Sequence, residues 1–170
     1  MAADLILRHL TVASPLGPFS ILGSPIGVVA TTGEDVEDLL GRLVGQLDAE
    51  VRAAPDARLR TAARELERYF AGRLRVFRTP VDLRLARTPL ARGILEVTRT
   101  IPYGELWTYG DVAAVAGHPG AARAAGSTLA HSPIEIFVPC HRVVPAGPGL
   151  GSYGGEEDRR ATLLRLERAI

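Results

Sequence analysis

Lysine and asparagine are absent from this chain of 170 residues, and cysteine occurs once. Without lysine there is no Schiff-base nucleophile and no lysine general base. With a single thiol, Cys140, there is no intramolecular disulfide, no thiolate metal cage and no second cysteine to resolve an oxidised state. Aromatic residues make up 5% of the chain, and no apolar run approaches the ~20 residues of a membrane span. The start carries Asp4 and Arg8 and lacks the apolar stretch of a secretory signal. The expectation is a cytoplasmic protein in a reducing compartment with no membrane association.

All 20 basic residues are arginine. Lysine and asparagine both use AT-rich codons, so their absence reads as the imprint of a GC-rich genome, and abundant arginine is not by itself a sign of nucleic-acid binding. The net charge is +1, and from Thr88 onward eight arginines face eight acids. A duplex binder that relied on counterion release would be basic. Any DNA binding by this half must come from individually placed groups, with modest affinity.

What is present centres on Pro139-Cys140-His141-Arg142. An apolar run (Ile134, Ile136, Phe137, Val138) leads into the lone cysteine, and a histidine follows it. A buried cysteine can serve as a small apolar residue, or as a nucleophile activated by an imidazole. Neighbouring side chains of an extended chain point opposite ways, so thiol and imidazole need a local turn or a bridging water. The segment Glu156 to Ile170 reads as a helix with an acidic first turn. Leu163, Leu166 and Ile170 share one face, and Glu167 falls in the same arc. That carboxylate either reaches solvent, pairs with Arg160 or an arginine of the N-terminal domain, or holds an imidazole in one tautomer, as in a Ser-His-Asp relay.

The chain divides near residue 85. Residues 3–12, 17–22 and 26–32 read as short strands between Pro/Gly turns. Helices are expected from Glu34 to Glu50 and from Asp56 through Phe70, stopped by Gly72. The two prolines between Thr79 and Pro89 mark the connection. Beyond it, Leu90 to Thr100 is helical and Ile101-Pro102-Tyr103-Gly104 is a turn. Tyr109–Ala116 and Ala121–Ala130 are short helices across the turn Gly117-His118-Pro119-Gly120, the pattern of a helix-turn-helix. The second helix is nearly all small residues, which suits close approach to another surface or tight packing. Arg123 is its one long polar side chain. No His/Cys/Asp cluster has metal-ligand spacing, and His9 is the only histidine in the first strands. No metal and no cofactor are expected.

At this point the chain resembles a known family, the O6-alkylguanine-DNA alkyltransferases, also called methylated-DNA–protein-cysteine methyltransferases. The matching residues are Ile101-Pro102-Tyr103-Gly104-Glu105, Tyr109-Gly110, Ala121-Ala122-Arg123-Ala124-Ala125-Gly126 and Val138-Pro139-Cys140-His141-Arg142-Val143-Val144. Ser152-Tyr153-Gly154-Gly155 and Leu163-Leu164-Arg165-Leu166-Glu167 complete the set. The likeness runs end to end from about Leu90. It is looser before, through Ser14-Pro15-Leu16-Gly17 and Tyr69-Phe70-Ala71-Gly72.

The resemblance implies an α/β protein of two small domains. Residues 1–85 would form an N-terminal α/β domain, a short antiparallel sheet plus helices, similar to ribonuclease H. Residues 86–170 would form a mainly helical domain for DNA binding and alkyl transfer. It implies a monomer acting on double-stranded DNA that contains O6-alkylguanine, with the recognition helix in the minor groove. Cys140 would accept the alkyl group, with His141 as a base working through water and Glu167 behind it. Tyr109 would turn the 3′ phosphate and protonate the base at N3. Arg123 would fill the place of the flipped guanine, and Thr108, Ala121, Ala122, Ala124, Gly126 and Ser127 would lie on DNA. Ser132, Pro139, Val143, Tyr153 and Gly154 would line the substrate pocket, with the Val143 carbonyl receiving the exocyclic amine.

Three departures accompany the likeness. Ser132-Pro133 stands where the family has Asn-Pro, at the hinge between recognition helix and active site. Leu90 and Leu95 replace a phenylalanine and a tryptophan. Glu135 replaces an apolar or small residue, and nothing in the sequence explains it. Two other classes compete with the alkyltransferase: a non-catalytic protein that binds alkylguanine and signals damage, and a transcription regulator built on the helix-turn-helix.

Overall fold

Alternating apolar residues build the first sheet. A computed structural model of the chain describes residues 5–170; residues 3 and 4 of the expected first strand lie outside them. Strands β1 (Leu5–Val12), β2 (Phe19–Gly23) and β3 (Val28–Thr32) pair antiparallel in sequence, through turns at Pro15-Leu16-Gly17 and Pro25-Ile26-Gly27. Gly27 is required where it stands, because a Cβ there would lie 2.3 Å from the carbonyl oxygen of Pro80. Helix α1 (Val36–Leu47) is capped by the Asp35 side chain, and α2 (Ala57–Phe70) by Asp56.

The expected helix to Glu50 stops short. Asp48 takes a left-handed conformation (φ 50°) that ends α1, and Ala49–Arg52 forms a fourth strand, β4. It pairs parallel with β1, Leu5 opposite Ala49, so the sheet is mixed and not purely antiparallel, with order β3-β2-β1-β4. Four residues of alternating burial are too short for a periodic signal, and only the pairing with β1 makes them a strand. α2 packs on β1 and β2 through Leu59, Ala62, Ala63, Leu66 and Tyr69. Glu65 is buried there too, accepting from the Arg78 and Thr79 backbone amides at 3.0 Å each and from the Thr79 hydroxyl at 2.6 Å.

The chain forms two compact units, the first ending at Asp82 and the second spanning Leu83–Ile170. The second opens with α3 (Pro89–Thr98), with Thr88 as cap and Pro89 in the first turn, where a missing N–H costs nothing. A turn at Ile101–Gly104 leads to β5 (Trp107–Thr108), α4 (Tyr109–Val115) and α5 (Ala122–Ala130). Positive φ at Gly117 and Gly120 lets the chain reverse between α4 and α5. Val112 and Ala113 of α4 and Ala125 and Leu129 of α5 are buried where the two helices pack.

After α5 comes an irregular buried run, Ile134–Val138, then a 3-10 turn over Cys140–Arg142 and β6 (Val143–Val144). β6 pairs parallel with β5, an association invisible in two-residue strands. α6 (Glu157–Leu166) is shorter than expected. It ends at Leu166, Arg168 turns left-handed (φ 57°), and Ile170 is 52% exposed, so Ile170 is not part of the buried face. No helix among the described residues is long and apolar enough to cross a membrane.

Candidate active site

The single cysteine sits at the start of a tight turn, and the turn sets the geometry of its neighbours. The buried Pro139 precedes the 3-10 turn, and its carbonyl accepts from the Arg142 amide at 3.0 Å. The turn moves the chain out of the extended form, which would have thrown the side chains of residues 140 and 141 to opposite sides. Cys140 is 2% exposed, and its Sγ donates to the carbonyl of Ile134 at 3.9 Å. His141 is fully buried, and its Nε2 lies 2.7 Å from Glu167 Oε1.

Glu167, the residue that caps α6, is shared. Arg142 donates to it twice, from Nε to Oε2 at 2.9 Å and from Nη2 to Oε1 at 2.8 Å, and the Gly104 amide donates to Oε2 at 3.1 Å. Arg142 Nη1 reaches the Ile101 carbonyl at 2.6 Å. The Ile101–Gly104 turn thus carries the second half of the carboxylate's cage. Gly104 has φ +81°, and a Cβ there would lie 3.3 Å from the Glu167 carbonyl oxygen. Of the sequence alternatives for Glu167, the imidazole is met, by His141; solvent and Arg160 are excluded, and the arginine that pairs with it is Arg142, which the alternatives did not include.

Burial and these contacts set the charges. Burial alone would raise the Glu167 carboxyl, but hydrogen bonds from His141 and Arg142 outweigh it and hold the group well below the usual range. Burial lowers the His141 imidazole, against the pull of Glu167, so the ring is neutral. A neutral ring beside a carboxylate carries its proton on Nε2, which leaves the buried Nδ1 as the acceptor. Burial pushes the Cys140 thiol up to about 12, with a hydrogen bond to Ser132 pulling the other way. The resting pair is a thiol and a neutral base, not a thiolate and an imidazolium.

The residues that the resemblance assigns to a substrate pocket and to DNA are placed as follows. Ser132 is half-buried, and its Oγ donates to the Ile134 carbonyl at 3.0 Å. Val143 is buried in β6, held by the pairing of Trp107 with Val143. Tyr153 and Gly154 lie in a 3-10 turn, Tyr153–Gly155, with Tyr153 left-handed at φ 46°. The Tyr109 hydroxyl accepts from Arg160 Nη2 at 3.1 Å, and the Tyr109 ring lies 3.9 Å from where a Cβ of Gly126 would stand. On α5 the side chains of Ala122, Arg123 and Ser127 are exposed, Ala121, Ala124 and Gly126 half-buried. Arg123 has no hydrogen-bond or ionic partner among the described residues. Thr108 caps α4 in a reciprocal pair with Asp111, its hydroxyl accepting at 3.1 Å and its amide donating at 2.9 Å.

Sequence reasoning missed three residues here. In the sequence Arg142 stands out only as one letter of a motif. Arg160, 1% exposed, stacks on the Tyr153 ring at 4.7 Å. The spacing Arg160, Leu163, Leu164, Glu167 puts all four on one helical face, a signal that could have found it. Glu135 accepts from the Tyr153 hydroxyl at 3.1 Å and from Arg159 Nη2 at 2.8 Å.

Residues 89–169 match the family described as 6-O-methylguanine DNA methyltransferase, DNA binding domain. A methylated-DNA–protein-cysteine methyltransferase of Mycolicibacterium paratuberculosis is 41% identical over 88% of this chain and 92% of its own. This chain belongs to that family. Among solved structures, the O6-methylguanine methyltransferase of Mycobacterium tuberculosis superposes with a TM-score of 0.78 at 33% identity, over 96% of this chain and 93% of that one. The same organism's OGT in complex with DNA gives 0.78 at 34% identity, over 95% and 93%. As in other methyltransferases of this kind, a protein cysteine is the named acceptor, and this chain has one cysteine to offer.

Proposed function

We propose that this protein repairs DNA by moving the alkyl group from O6 of an alkylated guanine onto its own Cys140, irreversibly and once per molecule. The observation that carries the reading is the buried thiol followed by an imidazole that a caged carboxylate holds in one tautomer. Residues 86–170 are the DNA-binding and transfer domain, with α4 and α5 as a helix-turn-helix whose α5 lies in the minor groove. The first unit is the ribonuclease H-like α/β domain. The protein works as a monomer in the cytoplasm, where its nucleophile stays reduced.

O6 of a stacked guanine is out of reach of a buried thiol, so the nucleotide is flipped out of the duplex. Arg123, exposed and unpartnered on α5, fills the gap with its planar guanidinium. Ala121, Ala122, Ala124, Gly126 and Ser127 let the helix backbone approach the groove, and Thr108 contributes at the start of α4. Ser132, Pro139, Val143, Tyr153 and Gly154 line the base pocket. The thiol proton leaves for His141 Nδ1 through a water as Sγ attacks the alkyl carbon. The new C–S bond forms while the C–O bond breaks, and its electron pair stays with the base. Tyr109 gives its hydroxyl proton to N3 of the leaving guanine. Arg160 faces the phenolate left behind, and the proton on His141 later returns to it through solvent. A thioether remains, which thiol exchange does not reverse.

The high affinity of Cys140 for its proton suits this scheme. The thiol is ionised only as the base arrives, so it stays protected from other electrophiles. Incubation with a duplex containing O6-methylguanine, followed by mass spectrometry, tests the reading. One added methyl on Cys140 is the expected result. Binding of the damaged duplex without any mass gain would favour the non-catalytic damage-binding class instead.

A further inference from the structure

Charge in the first unit is sorted along the chain. Residues 34–56 carry seven acids and two arginines, and residues 57–78 carry seven arginines and two acids. In a chain whose every basic residue is arginine, abundance says nothing, but this separation is a matter of placement. The two sets also stand over different strands: α1 packs by β4, and α2 packs on β1 and β2.

Helix α2 lays out the basic set. Leu59, Ala62, Ala63, Leu66 and Tyr69 are buried toward the sheet. Arg60, Arg64 and Arg68 are exposed on the opposite side, in steps of four residues, about 6 Å along the axis. The segment after the helix folds back on its end. The Arg73 amide donates to the Arg68 carbonyl at 2.8 Å and the Arg78 amide to the buried Glu65 at 3.0 Å, which brings the exposed Arg73 and Arg78 to the last turns of α2.

The acids of this stretch do not neutralise the row. Glu65 is buried and spent on the Arg78 and Thr79 amides and the Thr79 hydroxyl, which leaves Glu67 as the one exposed acid between residues 57 and 78. Among the described residues the side chains of Arg60, Arg68, Arg73 and Arg78 have no hydrogen-bond or ionic partner, and Arg64 has only the Thr61 hydroxyl at 3.2 Å. Like charges four residues apart on a helix repel and weaken it. The row therefore does nothing for the fold, and a ligand of opposite sign would relieve it.

We propose that the exposed face of α2, with the Arg73–Arg78 segment, is a second DNA-contacting surface, one that holds the phosphate backbone without reading sequence or damage. The proposal takes from the reading above that the partner is duplex DNA. Charge complementarity carries it. A duplex presents one negative charge per about 1.7 Å of its axis, so a row of guanidinium groups meets phosphate in any register. Each guanidinium can take a phosphate with two parallel N–H groups. The chain from Thr88 onward is formally neutral, so the salt-dependent share of the affinity falls to this face.

Binding of an undamaged duplex, followed by fluorescence anisotropy over a range of salt concentrations, tests it. Arg60→Gln with Arg68→Gln removes two groups from the helix, and Arg73→Gln with Arg78→Gln removes two from the segment beyond it. Arg42→Gln with Arg52→Gln removes the same charge from exposed positions outside the face. The slope of log K against log salt should become shallower by about 2 in each of the first two pairs. Raising the salt from about 50 to 150 mM should then cost each of them about 10-fold less affinity than it costs the wild type. The third pair should keep the wild-type slope. Glutamine is a good helix former and lifts the repulsion in the row, and the second pair lies outside the helix should the first not fold. Unchanged slopes in both face pairs, or an equal loss in the third pair, would overturn the proposal. So would self-association without DNA that the face pairs abolish, because the face would then belong to the acidic residues 34–56 of a second copy. A wild type that binds no duplex at any salt concentration would instead overturn the DNA reading itself.

Discussion

Arg142 and Glu167 form a buried two-bond ion pair, with Nε and Nη2 of the arginine on separate carboxylate oxygens at 2.9 and 2.8 Å. The pair locks the end of α6 to the turn that carries Cys140 and His141. It also keeps the carboxylate ionised, which a lone buried glutamate beside a neutral imidazole would not be. The Cys140–Arg142 turn and the last helix therefore stand or fall together.

Glu167→Gln should destabilise the protein by roughly 3–5 kcal/mol, the cost of leaving one buried charge without its partner. Transfer should fall as well, because the imidazole loses the acceptor that fixes its tautomer. Urea denaturation measures the first effect. A loss under about 1 kcal/mol would mean that Arg142 finds another partner.

Acid should destabilise the fold in two stages. The His141 imidazole is lowered by burial, so only the unfolded state takes up that proton below the ordinary histidine range. Stability should begin to fall as the pH drops through about 6.5. The Glu167 carboxyl is held down by His141 and Arg142, so its contribution is complete above the unfolded carboxyl's range and is lost as pH falls below it. The loss should steepen below about pH 4.5 and should do so less in Glu167→Gln. A flat stability between pH 7 and 5 would contradict a buried neutral imidazole.

Cys140, raised to about 12, should resist iodoacetamide at pH 8 in the native protein and react quickly once unfolded in urea. It is the only thiol, so the labelling needs no site assignment. Cys140→Ala should abolish alkyl transfer and leave DNA binding nearly intact by gel shift. Methyl transfer above background in that variant would remove Cys140 as the acceptor.

Arg123→Ala should slow transfer from duplex DNA much more than transfer from the free base O6-benzylguanine. The side chain is exposed on α5 and bound to nothing in the described residues, so its removal leaves the fold intact. The free base needs no flipping. Equal losses on the two substrates would assign Arg123 to the pocket or the fold.

Ser132→Asn should speed single-turnover transfer by roughly five-fold, one net hydrogen bond in the transition state. Ser132 Oγ donates to the Ile134 carbonyl at 3.0 Å, within its own segment, and also hydrogen-bonds the Cys140 thiol. Its polar neighbours are engaged elsewhere: His131 Nδ1 pairs with the Ser127 carbonyl at 2.8 Å, and Glu135 is occupied by Tyr153 and Arg159. An unchanged or slower variant would show that the chain has repacked around serine.

The sequence by itself carried what is local. Asp56 announced a helix start, Pro-Gly turns separated the first strands, and a unique cysteine followed by histidine named the centre of the chemistry. These signals lie within a few residues of each other, where spacing and side-chain type decide the outcome. Tertiary structure decided what depends on distant partners. β4 is a strand only because β1 accepts it in parallel, and a four-residue segment has no period of its own to declare that. Glu167 could have met solvent or any of several arginines. Helix α6 ends one residue before it, and the Cys140–Arg142 turn brings His141 and Arg142 to its two oxygens. Glu135, unexplained as a letter in the chain, became a link once Tyr153 and Arg159 were placed beside it. A buried charge takes whichever partners the fold delivers, and pairs 18 to 26 residues apart leave no trace in spacing.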